Sequence, residues 1–154
     1  MGKKHRKILQ KAARQAKQDD YLYLTNIEKS FFGLEKKEEN PYIVLKYYHS
    51  DFECFSNWNS NELKAFSDFI RKLRQIQWED IYKTGGKAGD KTGFGYTPHK
   101  DISQLPDNPE LKKISPDITF FELRVTGKIR VHGFRVKAAF FLVWLDRNHR
   151  IYPK

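Results

Sequence analysis

Apolar residues along the chain follow two rhythms, and each predicts a different kind of element. Leu63, Phe66, Ile70, Leu73 and Ile76 recur at spacings of three and four, which draws one apolar stripe along a helix. Lys64, Arg71, Lys72 and Arg74 fall mainly off that stripe, as on a helix that packs on a sheet and solvates its outer face. Asn59 with Glu62 three positions on has the arrangement of a capping box at the helix start. Gly85-Gly86 marks its end, because glycine tolerates the left-handed conformation at a C-terminus. Upstream, Tyr42–Tyr48 (YIVLKYY) follows Pro41 and is rich in β-branched and aromatic residues, which predicts a strand. From Ile118 to Tyr152 the pattern becomes that of three consecutive strands. Ile118–Val125 leads through Thr126-Gly127 into Ile129–Arg135, and Val136-Lys137 turns into Ala138–Leu145. Connections this short join antiparallel neighbours. The expected fold is therefore α+β: an antiparallel sheet, made of one strand plus a C-terminal three-stranded meander, packed on one long helix.

Two stretches stand outside these rhythms. Residues 1–40 read as a basic, mostly helical N-terminal arm in which Lys3, Lys4, Arg6, Lys7, Lys11, Arg14 and Lys17 surround a sparse apolar set. Contact with RNA and a solvated tail are both open readings of that arm. Residues 41–154 read as a single α+β domain carrying a Gly/Pro-rich loop at 85–116. Within that loop GGKAGDKTGFGY invites comparison with a phosphate-binding P-loop, but Asp90 stands before Lys91-Thr92 where glycine is required. The segment also follows a helix where the motif follows a strand, so nucleotide binding is set aside. Lys87 and Lys91 remain candidates for phosphate contact, against an ordinary flexible loop.

Composition narrows the class. The chain of 154 residues has 15% aromatic residues, too much apolar material for a disordered chain, and its length fits one domain. Twenty-nine Lys and Arg against nineteen Asp and Glu leave a net charge of +10, a field that draws polyanions such as RNA. Cys54 is the only cysteine, so no intramolecular disulfide and no multi-Cys zinc site can form. Beside Phe52 and Phe55 it reads as a small buried hydrophobe. His49, Asp51 and Cys54 lack a zinc or facial-triad spacing, so no metal and no other cofactor is expected. No secretory signal and no run of about 18 apolar residues is evident, which predicts a cytoplasmic protein without membrane contact.

Strand alternation locates the candidate chemistry. Phe120, Glu122 and Arg124 share one face of their strand, and Phe121, Leu123 and Val125 share the other. Arg130 and His132 oppose Ile129 and Val131 in the next. The apolar set suits the helix-covered core, so Glu122, Arg124, Arg130 and His132 are expected to gather on the opposite, open face. Arg147 and His149 lie just beyond the last strand, where they could join them. A carboxylate, a histidine and several arginines are what RNA cleavage without a metal requires. One group takes the 2′-OH proton, another protonates the leaving 5′ oxygen, and arginine steadies the charged phosphorane. Alternating Arg and Glu on a half-exposed sheet also form cross-strand pairs with no further task, and that reading stays open.

The run from Phe121 to Phe134, FELRVTGKIRVHGF, resembles the pattern of the RelE/ParE toxin superfamily: a Leu-Arg strand, a Gly turn and an Arg-led strand. A third strand and a short tail, Asp146-Arg147-Asn148-His149-Arg150-Ile151-Tyr152, complete the likeness. The resemblance implies a RelE-like mRNA interferase, a hydrolase that cuts mRNA on the ribosome without metal, leaves a cyclic phosphate and is neutralised by a cognate antitoxin. By position, Arg130 matches the strand arginine that stabilises phosphate and Arg124 its supporting arginine. His149 and Tyr152 sit where the tail acid/base and base-stacking residues belong, and Glu122 where some members carry Lys. The family generally carries two helices before its meander, and one is clear here. Lys3, Lys4, Arg6, Lys7, Lys87, Lys91, His132 and Arg147 complete the expected RNA contacts. Two other classes fit the same features. One is a non-catalytic nucleic-acid-binding module that stacks bases on Phe120 and Trp144. The other is a protein inhibitor of a host enzyme, of phage type or directed at gyrase.

Overall fold

A computed structural model of the chain describes residues 40–85 and 93–153. Residues 1–39 of the basic arm, with Lys3, Lys4, Arg6 and Lys7, and also Lys87 and Lys91 lie outside the described residues. Five strands form one mixed sheet: β1 (Tyr42–Val44), β2 (Thr97–Pro98), β3 (Phe120–Thr126), β4 (Ile129–Val136) and β5 (Ala139–Asp146). Their spatial order is β1-β5-β4-β3-β2, with β1 parallel to β5 and every other pair antiparallel. The C-terminal meander thus forms as its alternation predicts. The sheet as a whole is not antiparallel, because β1 arrives alongside β5 in the same direction, and β2 adds an unforeseen fifth strand.

β1 stops at Val44, well short of Tyr48. The Tyr48 N–H bonds back to the Leu45 carbonyl, and this turn sends two tyrosines to different places. Tyr47 packs on Phe134 and Phe141, whereas Tyr48 stacks on Phe55. β5 is buried over all eight residues, since it has a neighbour on each edge and a covering layer on each face. Such a strand shows a continuous apolar run where a half-exposed one would alternate.

Helix α1 spans Ser60–Leu73 and is capped by Asn59, whose side chain accepts the Glu62 N–H at 2.9 Å. A second helix, α2 (Trp78–Lys83), follows after a short break. The expected single helix ending at Gly85-Gly86 is thereby corrected. At about 100° per residue, a continuous helix would carry Trp78 roughly 140° round from Leu73 and out of the core. The break turns it back, so that Trp78 is buried and its indole N–H donates to the Ala138 carbonyl at 2.9 Å. Phe66, Phe69 and Leu73 are the buried positions of α1, while Leu63 and Ile70, placed on the stripe from the sequence, flank it and remain exposed.

One core lies between the helices and the sheet, formed by Phe66, Phe69, Leu73, Trp78 and Ile81 against Phe121, Leu123, Val131, Phe140, Leu142 and Leu145. A second lies on the other face, where Phe134, Phe141, Val143, Trp144 and Ile151 are covered by Phe52, Leu105, Leu111, Ile114 and Ile118. The face expected to be open is therefore also a core. Four of the covering residues come from the segment between β2 and β3, which carries 3₁₀ turns at Ile102–Gln104 and Pro109–Lys113. Cys54 is half-buried, and its sulfur caps the 3₁₀ turn Phe55–Asn57 in place of filling a core.

Candidate active site

Polar residues gather at the end of the second core where β3, β4 and β5 meet the tail. Glu122 on β3 opposes His132 on β4, and Arg130 opposes both Arg124 on β3 and Asp146 on β5. A bulge in β5 makes the last of these alignments. His132 pairs with Trp144 and Gly133 with Leu142, so Val143 is an extra residue without a partner. Strict alternation from Ala139 would turn Asp146 toward the helices, and the extra residue turns it to the face of His132.

Asp146 then organises the tail. Its carboxylate accepts the backbone N–H groups of Arg150 (2.7 Å) and Ile151 (2.9 Å), closing a tight turn after the strand. Within that turn His149 has φ 54°, a left-handed conformation uncommon for a residue with a side chain. Ile151 is buried in the second core and anchors the far end. Glu53, itself buried, adds a support by accepting from the Arg147 N–H at 2.9 Å and from the Trp58 indole at 2.7 Å. The result lays His149 and Tyr152 back across the sheet.

Glu122, Arg130 and His149 converge there. His149 Nε2 lies 3.1 Å from Glu122 Oε2, and Arg130 Nε lies 3.8 Å from Glu122 Oε1. The Arg130 guanidinium also donates to the Gly127 and Ile129 carbonyls. Burial lowers its pKa, the nearby Glu122 carboxylate opposes that, and an arginine remains charged across the working range. The Glu122 and Arg130 side chains are 4% and 9% exposed and that of His149 is 13% exposed, so His149 offers the readiest approach to the cluster.

Arg124 flanks the cluster. Gly95, at φ 57°, lies so close to its guanidinium that an added Cβ would meet it. The same arginine lines a cleft of about 370 Å³ together with Lys72, Gln75 and Thr126. Tyr152 stands one step away, its ring 5.2 Å from that of His99.

Two expected RNA contacts are placed elsewhere. His132 is fully buried and both its ring nitrogens are engaged, Nδ1 2.9 Å from His99 Nε2 and Nε2 3.1 Å from Asp146 Oδ2. Arg147 turns toward α1 and donates to the Asn57 carbonyl (2.5 Å) and to Glu62 Oε1 (2.8 Å), tying the end of β5 to the helix start.

His99 and Asp146 are the functional groups that sequence reasoning passed over. A carboxylate ending an apolar strand and followed by a polar tail is a signal for a capping aspartate. His99 sits in the Gly/Pro-rich stretch and carries no periodic signal at all. Its backbone N–H bonds to the Phe120 carbonyl at 2.8 Å, which fixes the ring beside His132. Burial, then the neighbouring His132 and His149, push its pKa down to about 4. Burial alone would raise the Asp146 carboxyl, but hydrogen bonds from His132 and from the Arg150 and Ile151 backbone outweigh it and hold the group below its ordinary value. Among the described residues no helix is long and apolar enough to cross a membrane. No family model matches the chain, nor does any curated protein or any solved structure.

Proposed function

We propose that this chain is a RelE-like endoribonuclease that cuts mRNA on the ribosome without a metal and is neutralised by a cognate antitoxin. The observation that carries the reading is the convergence of a tail histidine with a strand carboxylate and a strand arginine, at 3.1 and 3.8 Å. Arg130 steadies the phosphorane as charge builds on it, His149 delivers a proton to the leaving 5′ oxygen, and Glu122 holds the His149 ring in place. Arg124 supports the phosphate from the rim, and Tyr152 offers a face on which a base stacks. The pair α1 and α2 stands before the meander in the order that the likeness implies. The net charge of +10 suits both an RNA substrate and an acidic or partly disordered antitoxin that covers it.

The test is expression of wild type and the Arg130→Ala/His149→Ala double variant from a tightly controlled promoter, with cellular RNA 5′ ends mapped. Growth arrest with new mRNA cuts in wild type alone is the expected result. Arrest without cuts would move the assignment to a protein or gyrase inhibitor. The near-complete burial of Glu122 and Arg130 favours one second reading, a non-catalytic RNA-binding module. That reading requires salt-dependent binding with no cleavage.

A further inference from the structure

Both carboxylate oxygens of Glu122 are engaged, Oε2 by His149 and Oε1 by Arg130 on the neighbouring strand. A carboxylate held in that way orients its partners, which leaves open which group accepts a proton from the substrate. A second chain of groups runs beside it and ends in a free acceptor.

Asp146 as a carboxylate can only accept, so the hydrogen in its 3.1 Å contact belongs to His132 Nε2. A neutral imidazole protonated on Nε2 presents a lone pair at Nδ1. The 2.9 Å contact from that nitrogen to His99 Nε2 then requires the proton on His99. With His132 neutral, the last assignment leaves His99 Nδ1 as a bare acceptor. That atom is buried and has no hydrogen-bond partner among the described residues. Buried polar nitrogens are seldom left so, and each one in a native structure calls for a reason.

We propose that His99 Nδ1 accepts the 2′-hydroxyl proton of the RNA, with Asp146 and His132 fixing the tautomer that makes it a base. This rests on the nuclease reading. The 2′ O–H bond breaks, its proton passes to Nδ1, and its electron pair forms the new bond to phosphorus. The bond from phosphorus to the 5′ oxygen breaks, its pair stays on that oxygen, and His149 supplies the proton, leaving a cyclic phosphate. The imidazolium formed at His99 is stabilised through its Nε2–H toward His132 and the Asp146 carboxylate, the same logic by which an aspartate supports a catalytic histidine. The other groups facing His99 are His149 and the Tyr152 ring, both from the tail. A base stacked on Tyr152 would bring its ribose beside the neighbouring imidazole. No metal enters any step.

The experiment compares single-turnover cleavage of ribosome-bound mRNA by wild type, His99→Gln, Glu122→Gln and Asp146→Asn, beside the ¹⁵N spectrum of the histidine rings in the free protein. Glutamine keeps an N–H for His132 while removing the Nδ1 acceptor. His99→Gln is expected to lose about 10²–10⁴-fold in rate, and Glu122→Gln less. The spectrum is expected to show unprotonated Nδ1 on both His99 and His132, with the His132 assignment lost in Asp146→Asn. His99→Gln cleaving at the wild-type rate, or Glu122→Gln losing more than His99→Gln, would overturn the assignment. A wild type that leaves RNA intact would sink the nuclease reading itself. The spectrum then judges the relay alone: a proton on His99 Nδ1 overturns it, and a bare nitrogen there supports an acceptor site.

Discussion

At neutral pH the His99 ring is uncharged, since its pKa of about 4 lies well below the ordinary 6.5 it regains on unfolding. Between those values the unfolded chain binds more protons than the folded one, so acidification favours unfolding. The stabilisation is complete above about 6.5 and is lost as pH falls toward 4, a difference on the order of 3 kcal/mol. Asp146 acts in the same direction but lower, because its folded pKa also lies below its unfolded one. Denaturant unfolding of wild type should therefore show stability falling across this window, and His99→Gln should flatten the fall. Gly133 imposes a different constraint at the neighbouring position. A Cβ there would overlap the carbonyl oxygen of Phe141 on the paired strand. Gly133→Ala is expected to cost at least about 1–3 kcal/mol, read as a lower denaturation midpoint.

Elements explain which parts of the fold were legible. β3, β4 and β5 announce themselves because turns of a few residues join them and apolar positions mark their faces. The break between α1 and α2 is hidden, because Ile76, Trp78 and Ile81 continue an apolar series whose phase only the Ala138 carbonyl corrects. The second core is hidden for a related reason: Phe120 and Phe134 share a face with Glu122 and His132, and the covering residues Leu105, Leu111 and Ile114 are isolated among prolines and charges. Glu122, Arg130 and His149 were legible as a group, whereas the bulge that brings Asp146 to them depends on one unpaired valine. Arg147 illustrates the limit of reading a charge by its neighbourhood. Its bonds to Asn57 and Glu62 join two elements, so Arg147→Ala should lower stability by about 1–3 kcal/mol while leaving RNA affinity of the folded protein unchanged. Calorimetry and a binding titration on the same sample check both halves.

For the whole molecule, charge and packing divide the work. The second core covers the sheet face from which the site residues rise, and the net charge of +10 supplies a field that draws polyanions. RNA binding should weaken linearly in log salt, with a slope of about −0.7 for each phosphate neutralised on a single strand. A slope near zero would remove the electrostatic basis of the RNA reading. The parallel pairing of β1 with β5 sets an order of events during synthesis. Tyr42 leaves the ribosome before its partner Ala139, which emerges only after both helices and the first two strands of the meander. Until then β1 lacks the β5 partner with which it pairs among the described residues. Cleavage between β4 and β5 would take that partner from Tyr42 together with Asp146 and the tail. A nascent chain interrupted before that point therefore holds no assembled cluster, and whatever Glu122, Arg130 and His149 do together waits on the synthesis of β5 and the tail that follows it.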